Sequence, residues 1–82
     1  MKLPRDISGG ELAEALGKLG YAVVRQTGSH MRLSHHGKEG THHLTIPLHK
    51  ELKVGTLSRV IKDVAHHLSL TPEKLVERLW GE

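Results

Sequence analysis

The segment Tyr21–His49, YAVVRQTGSHMRLSHHGKEGTHHLTIPLH, decides the fold. YAVVRQT and HMRLSH flank Gly28-Ser29, a two-residue loop in which glycine would supply the positive φ of a type II′ hairpin turn. HGKEGT reads as a second turn and HHLTI as a third strand, which Pro47 ends because it has no N–H for a ladder. The reading is a three-stranded antiparallel meander. Pairing Leu33 with Leu44 and Met31 with Ile46 puts the apolar residues on one face. The strand period of two then sends His30, Arg32 and Ser34 to the other face, with His43 and Thr45. Across the first hairpin Thr27 faces His30 and Arg25 faces Arg32, and His30 falls opposite Pro47, which brings the His49 loop close. One conflict remains in this register. It puts Tyr21 and Val23 on the polar face, so it predicts a bulge or an earlier strand start.

On the N-terminal side, ISGGELAEALGKLG (Ile7–Gly20) reads as a helix with both ends marked. Ser8 and Glu11 form a capping box, Ile7 can staple onto Leu12, and Leu12, Leu16 and Leu19 share a face. Gly20 is placed to end it. On the C-terminal side, LHKELKVG (Leu48–Gly55) reads as a basic loop. TLSRVIKDVAHHL (Thr56–Leu68) follows as a helix with Leu57, Val60, Ile61 and Val64 on one stripe. Thr71 caps a last short helix with Pro72 at its first position, packed down by Leu75, Val76 and Leu79. The order α-β-β-β-α(-α) predicts an α+β two-layer sandwich with helices on one sheet face, and residues 1–82 read as a single domain.

Composition narrows the function classes. At 82 residues the chain should bury roughly 60–65% of its unfolded surface, enough for a modest core and not for a deep cavity. There is no cysteine, hence neither a disulfide nor a thiolate zinc site. No apolar run approaches the ~18 residues of a membrane span and no secretory signal is evident, so a cytoplasmic location is expected. A formal net charge of +3 favours an anionic partner. One Tyr, one Trp and no Phe argue against binding single strands by base stacking.

Six of the eight histidines lie between Thr27 and His49. GSHM at Gly28–Met31 is also a scar left by expression tags, but a complete helix signal precedes it, so it reads as native chain. The pairs His35-His36, His42-His43 and His66-His67 are adjacent, and neighbours on a strand point to opposite faces. Such pairs do not close on one ion, so no metal site is predicted. His35 and His42 could meet across the hairpin as two ligands only. His35, His36, His42, His66 and His67 are expected at exposed hairpin ends and on helix surface. His30 differs, because it projects from the bare face beside Arg25 and Arg32.

At these residues the sequence resembles the HicA family of toxins, small mRNA interferases of bacterial and archaeal toxin–antitoxin pairs with a fold similar to the double-stranded RNA-binding domain. The resemblance runs from Ile7 to about Leu79. It is carried by LGYAVVRQTGSHMRL (Leu19–Leu33) and IPLHKELKVGTLSRVIKD (Ile46–Asp63). It implies a metal-independent endoribonuclease without cofactors, acting on mRNA and paired with a HicB-like antitoxin. The GSH histidine, catalytic in the family, matches His30, and the P-x-H histidine matches His49, a candidate to assist. Arg25, Arg32, Lys50 and Lys53 would hold phosphates, with Gly28 and Ser29 on the same RNA-contacting surface. The chain departs from the family pattern at His66-His67 and in its histidine-rich second hairpin loop. A non-catalytic RNA-binding domain and an antitoxin-interaction module of the same fold remain open, and His30 is what separates them from an enzyme.

Overall fold

The computed structural model describes residues 2–81. Three strands, β1 (Ala22–Gln26), β2 (His30–Gly37) and β3 (Gly40–Pro47), form one antiparallel sheet in the order β1-β2-β3. Between β2 and β3, Met31 pairs with Ile46, Leu33 with Leu44 and His30 with Pro47, the expected register. Met31, Leu33, Leu44 and Ile46 are buried, while His30, Arg32, His43 and Thr45 are exposed on the other face. Truncating one such buried aliphatic side chain to alanine costs roughly 2–5 kcal/mol, so a one-residue slip is strongly disfavoured.

The conflict at Tyr21 is resolved by a bulge. Arg25 pairs with Arg32 and Val23 with Leu33, so Val24 has no residue opposite it. The extra residue shifts the alternation upstream by one and turns Tyr21 onto the apolar face, where it is 4% exposed. Val23 shares that phase but stays half-exposed, because β1 is an edge strand.

The first turn departs from expectation. The left-handed glycines are Gly20 and Gly40, so Gly28 does not make a type II′ turn. The Thr27 hydroxyl holds the turn instead, accepting from the His30 N–H at 3.1 Å and the Ser29 N–H at 3.4 Å. Thr27 donates its own N–H to the His30 carbonyl at 2.9 Å. A side-chain acceptor thus takes the place of a backbone carbonyl, and no positive φ is required.

Helix α1 (Gly9–Gly17) starts with the predicted capping box, both bonds being 3.0 Å. It ends in a Schellman pattern, Tyr21 N–H to Leu16 C=O and Gly20 N–H to Gly17 C=O, with Gly20 at φ 97°. Gly9 is required by space, since a Cβ there would sit 2.0 Å from the Pro47 carbonyl oxygen. Helix α2 (Val54–Leu68) begins two residues before the predicted Thr56, so the basic loop is shorter than expected. Buried Leu52 and Leu57 anchor either side of its start, and the Leu57 N–H closes the first turn on the Lys53 carbonyl without a side-chain cap. Helix α3 (Pro72–Trp80) is capped by the Thr71 hydroxyl, as predicted.

Leu12 and Leu16 of α1, Leu57, Ile61 and Val64 of α2, and Leu75 and Leu79 of α3 are buried with the apolar sheet face in one core. The result is an α+β architecture of three helices and an open three-stranded sheet.

Candidate functional site

The sheet face opposite the core opens into a groove of about 450 Å³. His30, Arg32, His43 and Thr45 form its floor, and Thr56, Arg59 and Asp63 of α2 form one wall. The wall follows from helix periodicity. Leu57, Val60, Ile61 and Val64 are drawn into the core, which turns the flank carrying residues 56, 59 and 63 along the β3 edge.

Two imidazoles line this groove, and both are held the same way. The Ser29 hydroxyl lies 2.9 Å from His30 Nδ1, and the Ser34 hydroxyl lies 2.5 Å from His43 Nδ1. In each ring Nε2 carries no hydrogen bond to the described residues. Ser34 is 5% exposed on the face that no helix covers, and its hydroxyl is spent on His43. Among the described residues, neither Arg32 nor Arg59 is ion-paired to a carboxylate, so both guanidinium groups are free for an anion.

The other residues singled out in the sequence are placed as follows. Arg25 lies opposite Arg32 and is exposed. Gly28 and Ser29 form the turn below His30. The Leu48 N–H bonds to the Ser29 carbonyl at 2.8 Å and ties the β3–α2 connection to that turn. His49 follows. Its carbonyl accepts from the Gly9 N–H at 3.0 Å, and its side chain is exposed and does not line the groove. Lys50 and Lys53 are exposed on the same connection, also outside the groove. Sequence reasoning put His43 and Thr45 on this face without assigning them to a site. It missed Thr56, Arg59 and Asp63, although they flank the apolar stripe of the helix that follows the last strand.

The remaining histidines overturn one expectation. His36 and His66 are exposed, as predicted, but His35, His42 and His67 are half-buried around Tyr21. His35 Nδ1 lies 2.9 Å from His67 Nε2, the His42 and His67 rings stack at 4.8 Å, and the Tyr21 hydroxyl lies 2.6 Å from His42 Nδ1. Alternation explains this: His35 continues the phase of Met31 and Leu33, and His42 that of Leu44 and Ile46, so both face the helices. Burial, reinforced by the Asp63 charge, pushes the Tyr21 phenol up to about 12. Burial and then the nearby His67 lower the pKa of His42. Among the described residues no group of three or more His, Asp or Glu side chains is arranged to hold a metal ion.

A family model described as HicA toxin of bacterial toxin–antitoxin matches residues 9–65. The chain belongs to the HicA toxin family. No curated protein and no solved structure matches it. The HicA match runs from α1 through most of α2, so it contains every residue that lines the groove and stops short of His67 and α3. As a HicA toxin the chain is one half of a toxin–antitoxin pair. Among the described residues no helix is long and apolar enough to cross a membrane.

Proposed function

We propose that this HicA toxin is a metal-independent endoribonuclease that cleaves mRNA in the cytoplasm, with His30 as its catalytic residue. The observation that carries the reading is His30 itself. Its Nδ1 is held by Ser29, its Nε2 carries no hydrogen bond to the described residues, and the unpaired Arg32 and Arg59 line the same groove. RNA brings its own nucleophile, the 2′-hydroxyl, so the protein needs only a base, a proton for the leaving group and positive charge for the phosphorane. Neutral His30, with Nδ1–H donating to Ser29 Oγ, takes the 2′-hydroxyl proton on Nε2. The 2′-oxygen attacks the adjacent phosphorus and the bond to O5′ breaks, leaving a 2′,3′-cyclic phosphate and a 5′-hydroxyl. A positioned base contributes roughly 10²–10⁴-fold, up to about 5 kcal/mol off the barrier. Arg32 and Arg59 stabilise the developing charge where it forms, and Arg25, Lys50 and Lys53, with the Gly28-Ser29 turn, extend the RNA surface beyond the groove. His49, on the connection tied to Ser29, is the candidate the family resemblance supplies for the leaving-group proton.

An exposed basic groove also fits an acidic, HicB-like antitoxin that covers His30. The deciding experiment is incubation of the purified toxin with long RNA in EDTA. Cleavage by the wild type and none by His30→Ala is expected. Binding without cleavage would assign a non-catalytic RNA-binding module instead.

A further inference from the structure

We infer that His43 is the general acid of this site, the group that protonates the departing 5′-oxygen; the inference rests on the ribonuclease reading above. It starts from a duplication in the geometry. His30 and His43 are the two imidazoles that line the groove, and each is anchored at Nδ1 by a serine hydroxyl, Ser29 at 2.9 Å and Ser34 at 2.5 Å. Anchoring Nδ1 fixes the ring orientation and leaves Nε2 as the working atom. The Ser34 anchor is the more unusual of the two, being a buried hydroxyl on the uncovered sheet face.

Phosphodiester transesterification needs two proton transfers on opposite sides of one phosphorus. One removes the 2′-hydroxyl proton and the other supplies the alkoxide that leaves. His30 and His43 sit four residues apart along the paired strands, with Arg32 and Thr45 paired between them. Four residues of strand rise and one inter-strand spacing place about 14 Å between their Cα positions, and both side chains line the same groove. Arg32 lies at the midpoint, where the phosphate would sit, and Arg59 faces it from α2. His49 offers no comparable arrangement, since its side chain stands outside the groove.

The proton balance closes. His43 begins as imidazolium, with Nδ1–H donating to Ser34 Oγ and Nε2–H directed into the groove. As the P–O5′ bond breaks, the Nε2 proton passes to O5′. His43 ends neutral and His30 ends protonated, and exchange with water restores both.

The test changes the leaving group. The cleavage position is first mapped on long RNA with the wild-type toxin, and a short oligonucleotide spanning it is made in two forms. One carries the natural 5′-oxygen and the other a bridging 5′-sulfur, which departs as a thiolate and needs no acid. His43→Gln should lose roughly 10²–10⁴-fold on the oxygen substrate and cleave the sulfur substrate nearly as fast as wild type. Ser34→Ala should show the same pattern with a smaller loss, and His36→Ala, at an exposed histidine outside the groove, should cleave both forms like wild type. His30→Ala should fail on both substrates. Equal losses by His43→Gln on the two substrates, or none on the oxygen form, would overturn the assignment; so would sulfur rescue in His49→Ala. Cleavage by His30→Ala, or none by wild type, would instead bring down the ribonuclease reading, and this inference with it. An unchanged thermal unfolding midpoint in His43→Gln separates loss of chemistry from loss of fold.

Discussion

His30 and His43 lie on one face of the sheet and His35 and His42 on the other, and that parity puts one residue type to two uses. On the groove side each ring is held at one nitrogen by a hydroxyl, and its second nitrogen is open. On the core side the rings are half-buried and packed on one another. His35 bonds to His67, His42 stacks on His67, and Tyr21 bonds to His42. A half-buried ring packed on its neighbours contributes to the fold, while an exposed ring in a groove with unpaired cations can act on a ligand. The family match covers the groove together with Tyr21, His35 and His42, and ends before His67.

The largest effect expected from this contrast is on cleavage. His30→Ala should lower the rate of RNA cleavage by roughly 10²–10⁴-fold, with an unchanged melting temperature. His67→Ala should do the reverse, lowering the melting temperature while folded protein assayed well below it still cleaves. Paired rate and melting measurements on both variants decide it. A His67→Ala protein that is folded and inactive would show that the two regions work as one site.

The next effect is on stability. Tyr21 is buried at the centre of the packed cluster, so Tyr21→Ala should cost roughly 3–5 kcal/mol, the range for truncating a buried aromatic. Tyr21→Phe keeps the ring and loses the bond to His42, and should cost roughly 0.5–1.5 kcal/mol. Denaturant titrations measure both. A Phe variant as unstable as the Ala variant would mean that the hydroxyl bond, not the ring, holds the cluster.

Most of this was legible in the sequence, because the strand period acts on every residue. Leu33 with Leu44 and Met31 with Ile46 fixed the register, and the misfit of Tyr21 called for a bulge or an earlier strand start, of which the structure has the bulge, at Val24. The same period already put His35 and His42 in phase with the core, but histidine's polarity masked the pattern. What was not legible depends on elements far apart in the chain. Arg59 and Asp63 reach the groove only because α2 runs beside the β3 edge, and His67 meets His35 only once that helix is docked. The Gly28 turn was misread for a local reason, since Thr27 supplied an acceptor where a glycine conformation was expected.

Acidity and alkalinity should sharpen the contrast from both sides. His42 has a lowered pKa because it is buried, with His67 the next cause and then His35 and His43, while Asp63 opposes them. The unfolded chain therefore takes up this proton at higher pH than the folded one, so stability is intact above the ordinary histidine value of about 6.5 and falls as pH drops below it. Tyr21 runs the other way. Its phenol, pushed up to about 12, keeps its proton longer in the folded state, so stability is intact below the ordinary value of about 10 and is lost as pH rises from there toward 12. The melting temperature should peak between these limits. His42→Gln should flatten the acid arm and Tyr21→Phe the alkaline one, and a profile unaltered by either substitution would place its titrating groups elsewhere.

The smallest effect is on the salt dependence of RNA binding, and it tests how far the groove extends. The chain has one Tyr, one Trp and no Phe, so stacking supplies little affinity and charge must supply most. Each phosphate neutralised on a single strand adds about −0.7 to the slope of log K against log salt. Three to five contacts then give a slope of roughly −2 to −3.5. Titrations use the His30→Ala protein, which is expected to bind without cutting. On that background Arg32→Ala and Arg59→Ala should each flatten the slope by about 0.7 and weaken all RNAs alike. Lys62, exposed on α2 but outside the groove, should change nothing when replaced by Ala. Lys50 and Lys53 are the informative cases, because they lie beyond the groove on the connection tied to Ser29. If Lys50→Ala and Lys53→Ala flatten the slope as much as Arg59→Ala, the strand continues past His30 over that connection. If they leave it unchanged, the RNA is held between His30 and His43 alone. A slope near zero, or a base preference that survives high salt, would mean that the groove grips bases rather than phosphates, and the two arginines would lose the role given to them here.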